Sequence, residues 1–287
     1  MFKNTMKTSV LLAAMGGLIV AVAGLIGGGS STSFTIGVAI ALVMVGGSYW
    51  FSDKLALASA KATVIEREQA PEFYDIIASL AQRAGMPMPR VAVSPSNQPN
   101  AFATGRGPKK AVVCATTGLL KSMPRHELEG VMAHELMHVK HRDILIGSVA
   151  AAIATAISYI AQMAMFASMF GGGRDNEERS NPLGMLLTAL LAPIAASLIQ
   201  MAVSRSREFE ADRGAADLLG SGGALADALE RIEVLAARHP MAVAPAQAQA
   251  YIHNPLNELR SGRNSRMARL FSTHPPTEER IARLRAI

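Results

Sequence analysis

The sequence predicts a mainly α-helical protein with a small β-sheet and two helical hairpins that cross a membrane. Half of its 287 residues are hydrophobic and only 17% are charged. The apolar residues lie in long uncharged runs, which is the pattern of membrane-spanning helices and not that of amphipathic helices around a soluble core. Polar segments with helical and strand-like patterns separate these runs and predict a soluble part that is divided in two.

The first uncharged run covers residues 8–52, which is too long for a single crossing of a bilayer. A stretch rich in Gly and Ser at residues 27–33 interrupts it, and we predict helical spans at Ser9–Ile26 and Phe34–Phe51. Together they form a transmembrane domain over residues 1–52. A cleaved signal peptide is the alternative interpretation of the first span, but a second apolar span follows it at once.

A second pair of uncharged runs, Ile144–Phe170 and Leu183–Val203, predicts another transmembrane hairpin over residues 144–203. A buried hairpin in a soluble core is the alternative, and the length of the runs favours the bilayer. Basic residues flank all four spans on one side, which the positive-inside rule assigns to the cytoplasm. These residues are Lys3, Lys7, Lys54, Lys61, Lys140, Arg142, Arg205 and Arg207.

The soluble part is expected to consist of residues 53–143 and 204–287. In the first of these, Pro71–Ala84 has a helical pattern, and three short β-prone runs follow it: Arg90–Ser94, Asn100–Gly105 and Ala111–Thr116. The second is helical, with a Pro- and Ala-rich interruption at His239–Ala250 that we interpret as a mobile surface loop.

Composition argues against an intrachain disulfide and against nucleic-acid binding. The single cysteine, Cys114, cannot form an intrachain disulfide and suits a reducing cytosolic environment. The net charge of +6 does not indicate nucleic-acid binding, because the basic residues flank the spans and the C-terminal helices without any base-reading motif. Anionic lipid is the expected counter-charge.

The motif His134-Glu135-Leu136-Met137-His138 is the strongest indication of chemistry in the chain. Two histidines at i and i+4 lie on one helical face and can share one metal ion, and imidazole suits zinc. Three protein ligands leave a position for water, whose pKa zinc lowers to about 7. Glu135 is then the predicted general base, which takes the proton of this water and passes it to the leaving amine.

The flanks of the motif predict the helix that carries it. We expect Ser122 to cap this helix, with Pro124 in the first turn. An apolar stripe runs along the face opposite the two histidines and would pack in the core. It consists of Leu128, Met132, Leu136 and Val139.

The third ligand has to come from elsewhere, because the Gly and third His that metzincins place after this motif are absent. His141 shares the face of His134 but lies about 10 Å from it along the helix axis. Glu208 and Asp212, at i and i+4 just after the fourth span, suit a carboxylate ligand and a carboxylate that orients a histidine. Spacing does not choose between Glu208 and Glu210.

Together these motifs resemble the HtpX family of membrane zinc endopeptidases, which are relatives of the CAAX prenyl proteases. The resemblance covers essentially the whole chain and rests on HELMH, on REFEAD after two spans, on THPPTEER at 273–280 and on PNAF at 99–102. It implies a gluzincin-like metalloprotease fold with two transmembrane hairpins. It also implies the bacterial inner membrane, an active site that faces the cytoplasm, and one zinc ion per subunit.

The resemblance also implies roles for individual residues. The metal ligands fall on His134, His138 and Glu208, and Asp212 is the carboxylate behind a ligand. His274 and Arg280 fall on positions that assist the oxyanion or hold substrate. Asn100, Ala101 and Phe102 match the family's edge strand, which would hold an extended substrate by β-augmentation. The structural alternative for Asn100–Phe102 is a plain core strand. The alternative for His274 is a histidine at a helix N-terminus.

We therefore predict a zinc endopeptidase that hydrolyses peptide bonds of membrane or misfolded proteins, with the quality-control and stress role that the resemblance implies. Its partners are polypeptide substrates and the lipid bilayer, without nucleic acid. A CAAX-type prenyl-protein protease is the alternative among enzymes. A zinc-binding membrane scaffold without turnover is the other alternative, and Glu135 argues against it because a structural site needs no base.

Overall fold

The computed structural model describes residues 2–26, 29–147, 205–238, 251–252 and 275–287. It begins with two helices, α1 (Phe2–Ile26) and α2 (Ser31–Ser59), that pack against each other as a hairpin. Ser30 caps α2, since its hydroxyl accepts a hydrogen bond from the amide of Ser33. Both helices of the predicted first hairpin are present and longer than predicted.

None of the helices in these ranges is by itself long and apolar enough to span a bilayer. Two segments of α2, Ser31–Gly47 and Tyr49–Ser59, are together long and apolar enough, and they are bent by 61° relative to each other. Residues 148–203 of the predicted second hairpin lie outside the described residues, as does the loop predicted at His239–Ala250.

A four-stranded sheet follows the hairpin. Its strands are β1 (Thr63–Ile65), β2 (Arg90–Ser94), β3 (Ala101–Gly105) and β4 (Ala111–Thr116), and their spatial order is β1-β2-β4-β3. The β2 and β4 strands are parallel, and the other two pairs are antiparallel. Three strands match the predicted runs. The sequence did not predict β1, because three residues are too few to show an alternating pattern.

The sheet is covered on both faces. One face packs against α3 (Pro71–Arg83) and against α5 (Arg125–His141), and a short helix, α4 (Thr117–Ser122), leads into α5. Short 3-10 helices lie at Arg67–Gln69 and Pro108–Lys110. The opposite face packs against the C-terminal part of α2 in a smaller cluster that consists of Leu57, Ala92, Phe102, Val112, Cys114 and Tyr251.

The helix that carries the HELMH motif is α5, and its predicted apolar stripe is buried. Its predicted start is wrong. Pro124 is the N-cap residue, and Ser122 is the last residue of α4, where its hydroxyl donates a hydrogen bond to the carbonyl of Gly118. The cause is Thr116, whose side chain caps α4 and makes the preceding segment a separate helix.

Three further helices complete the described part: α6 (Arg205–Leu219), α7 (Gly223–Ala236) and α8 (Thr277–Leu284). Both α6 and α7 pack on α5, and α8 packs on α6 and α7. Gly130 lets α5 approach α7 closely, since a Cβ atom there would lie 2.7 Å from the backbone nitrogen of Leu225. This packing brings side chains of α6 and α8 to the histidine face of α5.

Candidate metal and catalytic site

The two histidines of the motif face each other on α5. Their Nε2 atoms are 3.1 Å apart, and their ring planes are perpendicular, with centroids separated by 4.6 Å. The side chain of His134 is 1% exposed, and that of His138 is 16% exposed. The two Nε2 atoms therefore face one small region of a largely buried site.

Glu208 reaches the same region from α6. Its Oε1 atom lies 3.5 Å from Nε2 of His138, and its Oε2 atom lies 3.7 Å from Nε2 of His134. Zinc binds nitrogen and oxygen at 2.0–2.2 Å, so two ligand atoms at a tetrahedral angle are about 3.3 Å apart. The spacing of the three side chains therefore fits a single ion.

Among the described residues, the group that could hold an ion consists of His134, His138 and Glu208, whose ligand atoms all lie within 4.8 Å of one another. Neither His141 nor Glu210 belongs to it. Glu210 is exposed on α6, whereas Glu208 is buried. The geometry thus favours Glu208 over Glu210 as the ligand, a choice that spacing in the sequence could not make.

Asp212 lies one turn after Glu208 and contacts the other nitrogen of His134, at 2.9 Å from Nδ1 to Oδ1. Arg280 of α8 holds this carboxylate from behind, with its Nε and Nη2 atoms donating hydrogen bonds of 2.9 and 2.6 Å. Burial would raise the pKa of Asp212, but Arg280 and His134 hold this pKa at about 2. Asp212 is therefore ionised and fixes the ring of His134.

The two histidines differ in the pKa that their surroundings give them. Burial lowers the pKa of His134 to about 4, although the hydrogen bond to Asp212 acts in the opposite direction. Burial also disfavours the charged form of His138, but the negative charges of Glu208 and Asp143 outweigh it and raise the pKa to about 9. Without a metal, His138 is protonated at neutral pH, and a bound cation would replace that proton.

The buried charges around the site are unbalanced. Among the described residues, four carboxylates at the site are each at most 8% exposed, and two guanidinium groups, those of Arg207 and Arg280, are buried with them. The carboxylates belong to Glu135, Asp143, Glu208 and Asp212. With both imidazoles neutral, as metal ligation requires, the formal excess of these groups is two negative charges. Because an uncompensated buried charge is costly, this composition fits a divalent cation.

Glu135, the predicted base, is 2% exposed on α5 between the two histidines. Its negative charge contributes to the raised pKa of His138, so its carboxylate lies near the site. Arg280 is also buried in this site, where it contacts Asp212 and, at 3.9 Å, Glu208. Its Nη2 atom also lies 3.4 Å from Nδ1 and 3.5 Å from Nε2 of His134. His274 lies outside the described residues.

The predicted substrate strand lies at an edge of the sheet, and the chain itself contacts its first two residues. The carbonyl of Ala101 accepts a hydrogen bond of 3.0 Å from the amide of Ile252, and the ring of Phe102 packs edge-on against Tyr251, with centroids 5.1 Å apart. The side-chain oxygen of Asn100 accepts a hydrogen bond from the amide of Ala101.

Sequence reasoning missed two buried charged residues, Asp143 and Arg207. Asp143 follows the end of α5, and its Oδ2 atom lies 3.4 Å from Nδ1 of His138. The available signal was an acidic residue five positions after a predicted ligand, which is weak because helix ends are often charged. Arg207 was interpreted as a flank of a membrane span, although it is 5% exposed.

Arg280→Ala is expected to lower the free energy of unfolding of the metal-free protein by about 3–5 kcal/mol, because it leaves Asp212 buried without its cation. Denaturant unfolding of the chelated protein in detergent measures this. Arg283→Ala is the matched control, since Arg283 lies on the same helix with 57% of its side chain exposed, and should cost about 1 kcal/mol or less. Equal losses in the two variants would contradict the importance of the Arg280–Asp212 pair.

The fold and the site define a metallopeptidase, with an HELMH helix and a glutamate from a later helix arranged around one position for an ion. The chain belongs to Peptidase family M48, whose profile matches residues 67–287. Its substrates are therefore polypeptides.

The chain is 51% identical over 284 residues to a "Protease HtpX homolog" from Burkholderia mallei (strain SAVP1), and the match covers 98% of this chain and 96% of the relative. The homologue from Burkholderia pseudomallei (strain K96243) matches equally well. These matches confirm the resemblance to the HtpX family and do not favour the CAAX-type or scaffold alternatives. Among solved structures, the crystal structure of S. mikatae Ste24p matches with 22% identity and a TM-score of 0.49, over 99% of this chain and 65% of that one.

Proposed function

We propose that this protein is a membrane-anchored zinc endopeptidase whose metal is held by His134, His138 and Glu208. The observation that carries the proposal is the convergence of these three side chains on one point, with Glu135 beside them. Two imidazoles and one carboxylate form a donor set typical of catalytic zinc. When bound, zinc would polarise the scissile carbonyl and acidify a water molecule.

In the proposed mechanism, Glu135 accepts a proton from the attacking water while the oxygen of this water forms a bond to the carbonyl carbon of the substrate. Glu135 then delivers this proton to the amine nitrogen as the peptide C–N bond breaks. Asp212, held by Arg280, accepts a hydrogen bond from Nδ1 of His134 and so fixes the direction of Nε2. Low exposure of these groups strengthens each electrostatic contact.

The contacts of Arg280 support a positioning role in which it holds Asp212. The role predicted for Arg280 at the substrate or the oxyanion stays a prediction, and so does that of His274. A donor at the position of His274 would stabilise the charge that develops on the carbonyl oxygen.

The described surface of α2 supports a membrane anchor. Large apolar side chains are exposed along it, and they include Phe34, Ile36, Val38, Ile40, Leu42 and Val43. Trp50 follows them, 59% exposed, with the guanidinium of Arg106 4.3 Å from its ring. Aromatic and basic side chains at the end of an apolar segment are typical of the membrane interface.

We propose that the N-terminal hairpin and residues 144–203 each cross the bacterial inner membrane twice, with the active site on the cytoplasmic side. The close approach of Glu208 to His138 supports an even number of crossings between them, because both side chains must be on the same side of the bilayer. Two crossings satisfy this condition.

The substrates proposed here are membrane or misfolded proteins, bound as an extended strand along β3. Edge strands offer unpaired backbone groups to such a segment. A substrate strand at Ala101 would have to replace the hydrogen bond from Ile252.

Removal of the metal tests the proposed function. The protein purified in detergent should contain about one zinc ion per chain, as the three-ligand site implies. Chelation should abolish cleavage of a fluorescent casein, and stoichiometric Zn²⁺ should restore it. Elemental analysis of each sample links activity to zinc content, and undiminished cleavage by fully zinc-free protein would refute the proposal.

A further inference from the structure

His138 has a second contact that its role as a ligand does not require. Its Nε2 atom faces Glu208, and its opposite nitrogen, Nδ1, lies 3.4 Å from Oδ2 of Asp143. If Nε2 binds a metal, Nδ1 carries the proton of the neutral ring and can only donate a hydrogen bond. Among the described residues, the carboxylate of Asp143 lies in reach as an acceptor, and its side chain is 7% exposed.

The backbone turns sharply to place Asp143 there. Helix α5 ends at His141, and Arg142 adopts a left-handed conformation with φ 62° and ψ 31°. Its amide donates to the carbonyls of His138 and Val139, so the turn is fixed to the last turn of the helix. A left-handed residue other than glycine costs about 1–2 kcal/mol. This conformation directs the chain back toward the histidine that it has just passed.

Asp143 also lies near a cation. Arg207, on α6 beside the ligand Glu208, is 5% exposed. Burial lowers the pKa of Arg207, and the charges of Asp143 and Glu208 counteract this effect, which indicates that both carboxylates are close to it. The arrangement repeats that of His134, whose Nδ1 faces a buried carboxylate that an arginine accompanies.

We propose that Asp143 is the positioning residue of His138, which accepts the Nδ1–H hydrogen bond and so directs Nε2 toward the metal as Asp212 does for His134. This inference rests on the proposed function of His138 as a ligand. Each imidazole ligand would then have its own buried carboxylate partner. Partners of this kind raise the basicity of the ring and typically change metal affinity 10- to 100-fold.

The test measures metal affinity and not turnover. Asp143→Ala and Asp143→Asn are introduced into the 287-residue Glu135→Gln protein, which lacks the proposed base, so that proteolysis does not interfere. Zn²⁺ affinity is measured by competition with a chromophoric chelator. We expect Asp143→Ala to weaken zinc binding by about 10- to 100-fold. Asp143→Asn keeps an acceptor oxygen but loses the charge, so its zinc affinity should lie between that of the parent and that of Asp143→Ala.

Asp217→Ala is the matched control, because Asp217 is exposed on α6, and its zinc affinity should stay within about twofold of the parent. The visible absorption of Co²⁺ bound in place of zinc reports ligand geometry, and it should change in Asp143→Ala and not in Asp217→Ala. Unfolding of the zinc-free proteins separates a general loss of stability from a change at the ligand. If Asp143→Ala does not fold, Asp143→Asn decides by the same two measurements.

The outcomes distinguish the two proposals. If the Glu135→Gln parent binds no zinc, the proposed function itself fails. If the parent binds zinc and both Asp143 variants bind it with unchanged affinity and an unchanged Co²⁺ spectrum, the inference about Asp143 is wrong while the metal site stands.

Discussion

Glu135→Gln is expected to lower kcat for casein cleavage by a factor of about 10²–10⁴, which is the usual contribution of a positioned general acid–base group. The amide has nearly the shape of the carboxylate, but it cannot accept the proton of the attacking water. Zinc should remain bound, because Glu135 is not among the three residues whose ligand atoms converge. The measurement is steady-state cleavage at saturating casein, with zinc content determined on the same sample.

Glu129→Gln is the control for this substitution. Glu129 lies on the same helix, its side chain is 32% exposed, and its partner Arg125 is four residues before it. Cleavage by this variant should stay within about twofold of the parent, because an exposed helix pair contributes only about 0.3–0.5 kcal/mol. A Glu135→Gln protein that holds zinc and cleaves at the parental rate would show that another group supplies the proton transfer.

Sequence periodicity predicted the elements that have strong local signals. The strands β2, β3 and β4 are β-branched or small-residue runs bounded by turn residues, and α5 carries an apolar stripe at helical spacing. The same reasoning missed β1 and α4, because elements of three and six residues are stabilised by their neighbours more than by their own pattern. The separate α4 is also why the predicted cap of α5 at Ser122 is wrong.

The residues of the candidate site also fall into those that local spacing predicts and those that only packing places at the site. His134, Glu135 and His138 are fixed by spacing on a single helix, so the sequence could identify them without knowledge of the fold. Glu208 required the resemblance to a family, because only the packing of α6 on α5 shows which of two glutamates faces the histidines. Asp143 was missed because its position depends on the left-handed conformation of Arg142.

The edge of β3 shows another limit of sequence reasoning. Composition predicted a strand at residues 100–105 and could not indicate that Ile252, about 150 residues later, donates a hydrogen bond to it. Contacts between distant segments depend on the path of the whole chain, and no local pattern records them. The strand could therefore be predicted from the local sequence, whereas its contact with Ile252 could be seen only in the folded structure.

Glu208→Gln is expected to reduce zinc affinity by more than about 100-fold, a larger effect than that of a residue that only orients a ligand. The substitution removes the one anionic ligand while two imidazoles remain, and it changes the local charge by one unit in a buried site. Cleavage should fall in parallel at zinc concentrations below the weakened Kd. Zinc affinity by chelator competition is the primary measurement.

Glu210→Gln provides a matched control, since it makes the same chemical change two residues later on the exposed face of α6. Its zinc affinity and cleavage should remain within about twofold of the parent, because an exposed charge at this distance is strongly screened. If Glu210→Gln lost zinc and Glu208→Gln kept it, α6 would present its opposite face to α5. Asp212 lies on the same face of α6 as Glu208, so its contact with His134 would then also be lost. This outcome therefore tests the orientation of the whole helix and not of one side chain.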